Sequence, residues 1–71
     1  MATEVTRPDY GEVTSYRPGD RIEIHPGCDL WMRGAKYGTV EYIGTGKVQV
    51  KMDHPQVRKL IWFPLDRVRP A

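Results

Sequence analysis

Helical periodicity is what this chain most plainly lacks. No segment repeats apolar residues at three- and four-residue spacing over three turns, so no amphipathic helix is expected in the core. Cysteine is nearly absent. Cys28 stands alone, which excludes an intramolecular disulfide as a brace for 71 residues. Cys28, His25 and His54 do not stand at a metal-ligand spacing, so no structural or catalytic metal is expected. No histidine is placed to activate the Cys28 thiol, so no catalytic residue, cofactor or small-molecule substrate is expected. Apolar runs are short: none approaches the ~20 residues of a membrane span, and there is no signal-peptide core. The expectation is a soluble, cytoplasmic, non-enzymatic protein with no membrane partner.

Charge is modest but unevenly placed. Residues 1–20 carry Arg7 and Arg17 against Glu4, Asp9, Glu12 and Asp20, a net charge of −2. Residues 21–71 carry nine Lys/Arg against five Asp/Glu, a net charge of +4. A mildly basic domain of this size favours an acidic or nucleic-acid partner.

What is present is a series of short alternating segments separated by Gly/Pro turns. Residues 1–15 hold Pro8 and Gly11 and show no period, and they read as a flexible N-terminal arm, with Tyr10, Val13 and Tyr16 able to dock part of it. Residues 16–71 form the single domain. "RPGD" (17–20) is a turn. "RIEIH" alternates, with Ile22 and Ile24 on one face. "CDLWMRGAK" is a loop with room for one helical turn. "YGTVEYIG" is a second strand, with Val40 and Tyr42 on opposite faces. "GTG" (44–46) is a tight hairpin turn whose glycines supply positive φ angles. "KVQVKM" points Val48, Val50 and Met52 inward and Lys47, Gln49 and Lys51 outward. After the turn "DHPQ", "VRKLIWF" reads as a fourth strand, with Leu60 and Trp62 inward and Ile61 and Phe63 outward. "PLD" fits a single 3₁₀ turn, and a last short strand surrounds Val68. Five short antiparallel strands of this kind make an all-β small barrel, because closure removes exposed edges.

The order of these elements resembles the SH3-like small barrels, and among them the KOW-type pattern of transcription and ribosomal proteins. The resemblance spans about residues 18–70 and rests on four elements: "GDRIEI"; Gly34, Gly38 and Val40; Val48 and Val50; and Phe63, Pro64, Asp66 and Val68. It implies a fold, and a binding role toward RNA or protein in larger assemblies. A plasmid-borne dihydrofolate reductase of SH3-like form is similar in "GDRI" (19–22) and in "IWFP" (61–64). Its working glutamine corresponds to Ile61, which cannot hydrogen-bond a substrate amide, so that activity is not expected.

Two surfaces are candidates. Lys47 and Lys51 share an outer face, and Arg58 and Lys59 stand on opposite faces of the fourth strand, so one of these two sits beside Lys51 in a basic ribbon if the third and fourth strands pair through "DHPQ". Arg33, Lys36 and Trp31 would stand in the adjacent loop. Lysines beside an exposed indole suit a phosphate backbone and a stacked base. Solvated lysines that discourage edge pairing would look the same, and Trp31 could equally fold back as a lid on a thin core. The alternative partner is a protein, or a second copy, met by Trp31, Ile61 and Phe63. His25, at the end of strand one, and His54, in a turn, read as solvated or capping histidines, and Asp29 and Asp53 as turn residues bonded to nearby backbone N–H groups.

Overall fold

The computed structural model describes residues 8–71. Five strands form one antiparallel sheet: β1 (Arg21–Ile24), β2 (Tyr37–Gly44), β3 (Lys47–Met52), β4 (Ile61–Pro64) and β5 (Val68–Pro70). Their order across the sheet is β4-β3-β2-β1-β5. A four-residue helical turn, α1 (Asp29–Met32), lies between β1 and β2, and a 3₁₀ turn, η1 (Leu65–Arg67), joins β4 to β5.

That last connection forces the sheet to roll. β4 and β5 are its two edges, yet only the three residues of η1 separate them. Such a link reaches at most about 14 Å. The edges of a flat five-stranded sheet stand about 19 Å apart. The sheet curls until one turn bridges its edges, and the curl encloses the core.

The core follows the period of two. Ile22 and Ile24 of β1, Val40 of β2, Val48, Val50 and Met52 of β3, Phe63 of β4 and Val68 of β5 are buried, with Tyr16 and Ala35 beside them. Local signals start and stop the strands. Before β1, the Arg17 N–H donates to the Asp20 carboxylate (2.8 Å) and the Asp20 N–H to the Arg17 carbonyl (3.1 Å), while Gly19 takes φ +96°. The β2–β3 hairpin closes through Thr45 and Gly46. Only Gly46 (φ +68°) supplies the positive angle; Gly44 is an ordinary strand residue paired with Lys47.

β2 contains a bulge. Val40 pairs with Val50 and Tyr42 with Gln49, so two steps on β2 match one on β3, and Glu41 is the extra residue. In a regular strand Val40 and Tyr42 would share a face. The bulge instead leaves Val40 fully buried and Tyr42 60% exposed, the opposite-face arrangement expected from the sequence.

The fourth strand departs from expectation in length and in face. Val57–Leu60 lie outside β4, in the loop 53–60. Within β4, Phe63 pairs with Val48 and Ile61 with Val50, both core residues, so Phe63 and Ile61 face inward. Trp62 pairs with the outward Gln49 and is 42% exposed. The inward Trp62 and outward Phe63 and Ile61 of the sequence reading are therefore reversed. "LIWF" is apolar at every position, so its own alternation says nothing, and the register to β3 decides the face.

The described part of the N-terminal arm lies on the sheet. The Gly11 N–H donates to the Val68 carbonyl (3.3 Å), Val13 packs on the core, and the Tyr10 ring meets His25 edge-on with centroids 4.8 Å apart. Arg69 lies over the Tyr10 ring at 4.6 Å and binds Glu23, its cross-strand partner, at 3.1 Å. This cover explains how Glu23 is buried in an otherwise outward row. Residues 1–7 of the expected flexible arm lie outside the described residues. Among the described residues no helix is long and apolar enough to cross a membrane.

Candidate functional site

The outer face of the sheet divides into two halves. Around β1 its charges are paired. Arg21 donates to both carboxylate oxygens of Asp53 and to the Thr39 hydroxyl (2.8 Å). Arg69 holds Glu23. The hydrogen bond from Arg21 lowers the Asp53 pKa from its ordinary value, and burial opposes it only in part. Asp53 thus serves a cross-sheet ion pair and not its own turn.

Around β3 the lysines have no such partners. Lys47, Gln49 and Lys51 alternate along the outward face, and neither lysine forms an ion pair with a described residue. Gln49 sits in one cross-strand row between Tyr42 of β2 and Trp62 of β4. Two exposed rings therefore flank Gln49 across the sheet, and two lysines flank it along the strand. Strand spacing puts the two aromatic positions about 10 Å apart. The Lys47 ammonium lies over the Trp62 ring at 4.8 Å. A 42% exposed indole with a cation over its ring is equipped to stack on a flat π-system and to pair with an anion.

The other cations expected at this surface lie elsewhere. Arg58 and Lys59 leave strand four for the loop 53–60, so no basic ribbon continues from Lys51 onto β4. With Arg33 they border a separate open groove of about 580 Å³ between α1 and that loop. The groove's position depends on how α1 ends. The Gly34 N–H donates to the Trp31 carbonyl (3.0 Å) and the Ala35 N–H to the Leu30 carbonyl (2.9 Å), while Gly34 takes φ +91°. This Schellman stop drives Ala35 into the core and sets Leu30 and Arg33 at the groove wall. Opposite, His54 caps its own turn by accepting the Gln56 N–H at Nδ1 (3.2 Å). His25 does the same with Gly27 (2.8 Å), so both histidines act as turn caps, as their positions suggested.

Trp31 is half-buried against the core as a lid, and Lys36 covers its ring at 5.1 Å. The exposed indole is Trp62. Sequence reasoning missed Tyr42, Gln49 and Trp62 as a row, because the row exists only through the register of three strands. A partial signal was the length of "VRKLIWF", whose two apolar faces leave at least one large ring outside a core this small. Among the described residues no group of histidine, cysteine and carboxylate side chains could hold a metal ion.

No family model, curated protein or solved structure matches the chain.

Proposed function

We propose that the chain is a non-enzymatic binding module that takes single-stranded nucleic acid across the outer face of β2, β3 and β4. Tyr42 and Trp62 stack bases, and Lys47 and Lys51 meet phosphates. The observation that carries this reading is the outward Trp62 under the Lys47 ammonium, in one row with Tyr42. Charge supports it: the acidic groups on the β1 half are taken up by Arg21 and Arg69, and the lysines on the β3 half are not. The SH3-like, KOW-type pattern in the sequence is compatible with such a role.

The test is fluorescence anisotropy with a labelled dT12 strand and a labelled duplex at several salt concentrations. Two phosphate contacts give a slope of log affinity against log salt of about −1.4 on a single strand. Tighter binding of the single strand than of the duplex is expected, since paired bases offer no free faces for stacking. Affinity without salt dependence, or absent near millimolar protein, overturns the proposal.

A further inference from the structure

The groove between α1 and the loop 53–60 differs in chemistry from the strand face beside it. Its apolar lining is mostly aliphatic, Leu30, Val57, Leu60 and Ile61, with the Trp62 ring beside them. Its border is cationic, with Arg33, Arg58 and Lys59 all exposed. Among the described residues no acidic side chain lines it, and none of these three cations forms an ion pair there. Its volume of about 580 Å³ lies within the range of ligand sites, about 300–1,000 Å³.

We infer that this groove docks a peptide segment that carries aliphatic or aromatic anchors flanked by aspartate and glutamate. Two features select this occupant over a nucleic-acid strand. Four branched aliphatic side chains against the single Trp62 ring bury a leucine or phenylalanine better than they stack a run of bases. The three cations are exposed, so they meet carboxylates that flank an apolar anchor without being desolvated themselves. Arg33 and Leu30 come from a turn held by the Gly34 stop, and Ile61 from β4, so two of the walls are set before a ligand arrives. Preformed walls reduce the ordering penalty of binding. Only Trp62 belongs both to the groove and to the strand face. The inference does not depend on nucleic-acid binding.

The test uses three probes against the whole chain: a synthetic twelve-residue peptide with two leucines and one phenylalanine among aspartates and glutamates, the same peptide with lysine in place of every acid, and dT12. Backbone amide shifts are followed by NMR. The acidic peptide is expected to perturb Leu30, Arg33 and residues 56–61, and the lysine peptide to leave them still. The double substitution Arg58→Glu/Lys59→Glu, on exposed loop positions, weakens the acidic peptide by about tenfold or more, as loss and reversal of two border charges implies. It leaves dT12 affinity within about twofold. Conversely, Lys47→Glu/Lys51→Glu weakens dT12 and spares the peptide, so failure of one reading is separable from failure of the other. A thermal melt of each variant confirms that it is folded. No perturbation by the acidic peptide at about 1 mM overturns the inference. So does equal binding of the lysine peptide, or a groove that responds to dT12 and not to the peptide.

Discussion

Exchanging the roles of two neighbouring aromatics is the sharpest test of this structure, because the proposed binding face exists only if Trp62 points out and Phe63 in. Phe63 is 6% exposed and pairs with fully buried Val48. Phe63→Ala removes a whole core ring and leaves a cavity, which costs about 3–5 kcal/mol. At roughly 0.05–0.15 kcal/mol per residue the domain has about 4–11 kcal/mol of stability in total. Phe63→Ala therefore leaves the protein marginal or unfolded at 25 °C, and Phe63→Leu, at about 1–2 kcal/mol, keeps the measurement in range. Trp62 is 42% exposed, so Trp62→Ala forfeits only part of a ring's burial plus an exposed cation–π contact with Lys47. That amounts to about 1–2 kcal/mol. Urea unfolding followed by far-UV circular dichroism gives both midpoints. The same Trp62→Ala protein, still folded, loses the stacking of one base, about 1–3 kcal/mol, or about 5- to 150-fold in dT12 affinity. If Trp62→Ala destabilises as much as Phe63→Ala, the faces of β4 are reversed. The row of Tyr42, Gln49 and Trp62 then does not exist.

Three further outcomes follow from local geometry. A Cβ on Gly38 would stand 2.5 Å from Val50 Cγ1 and 2.8 Å from the Lys51 carbonyl oxygen, so Gly38→Ala forces backbone apart and costs about 1–3 kcal/mol in a thermal or urea melt. The folded pKa of Asp53 lies below its unfolded value, so its pair with Arg21 stabilises above about pH 3.9 and is lost as the pH falls through the depressed folded value. Both side chains are about half exposed, so the effect is at most about 1 kcal/mol, and the stability gap between wild type and Asp53→Asn closes in acid. The Tyr16 hydroxyl is buried with no hydrogen-bond partner among the described residues, and burial, then the Asp20 charge, raises its pKa. Tyr16→Phe removes that orphan group, and the urea midpoint stays level or rises, by up to about 1 kcal/mol in stability.

Much of this protein was legible in its sequence because strand pattern and turn chemistry are local. Ile22 and Ile24, and Val48, Val50 and Met52, read as inward by alternation alone, and they are buried. "RPGD" and "TG" carry their turn geometry in proline, aspartate and glycine, and Pro64 with Asp66 marks the 3₁₀ turn. Gly34 and Gly38 shape the entry to β2 through a helix stop and a close strand approach. The order of five strands and the absence of a long helix follow from such signals. The candidate site was legible only in part. Lys47 and Lys51 could be placed on an outer face because their strand alternates cleanly. Arg58 and Lys59 could not, because "VRKLIWF" has no polar parity to phase it.

Tertiary structure alone decided the rest. Register between β3 and β4 turns Trp62 outward and Phe63 inward, because a strand apolar on both faces takes its sides from its partner. Val40 and Tyr42 are expected on opposite faces from the sequence, but what puts them there is the extra residue Glu41, and a bulge is a property of two strands and not of one. The Arg21–Asp53 pair joins positions 32 apart in the chain, and the groove joins α1 to a loop some 25 residues later. Local sequence determined what each segment would become. Long-range register and charge pairing decided which side chains were left facing outward, and the binding surfaces proposed here consist of those.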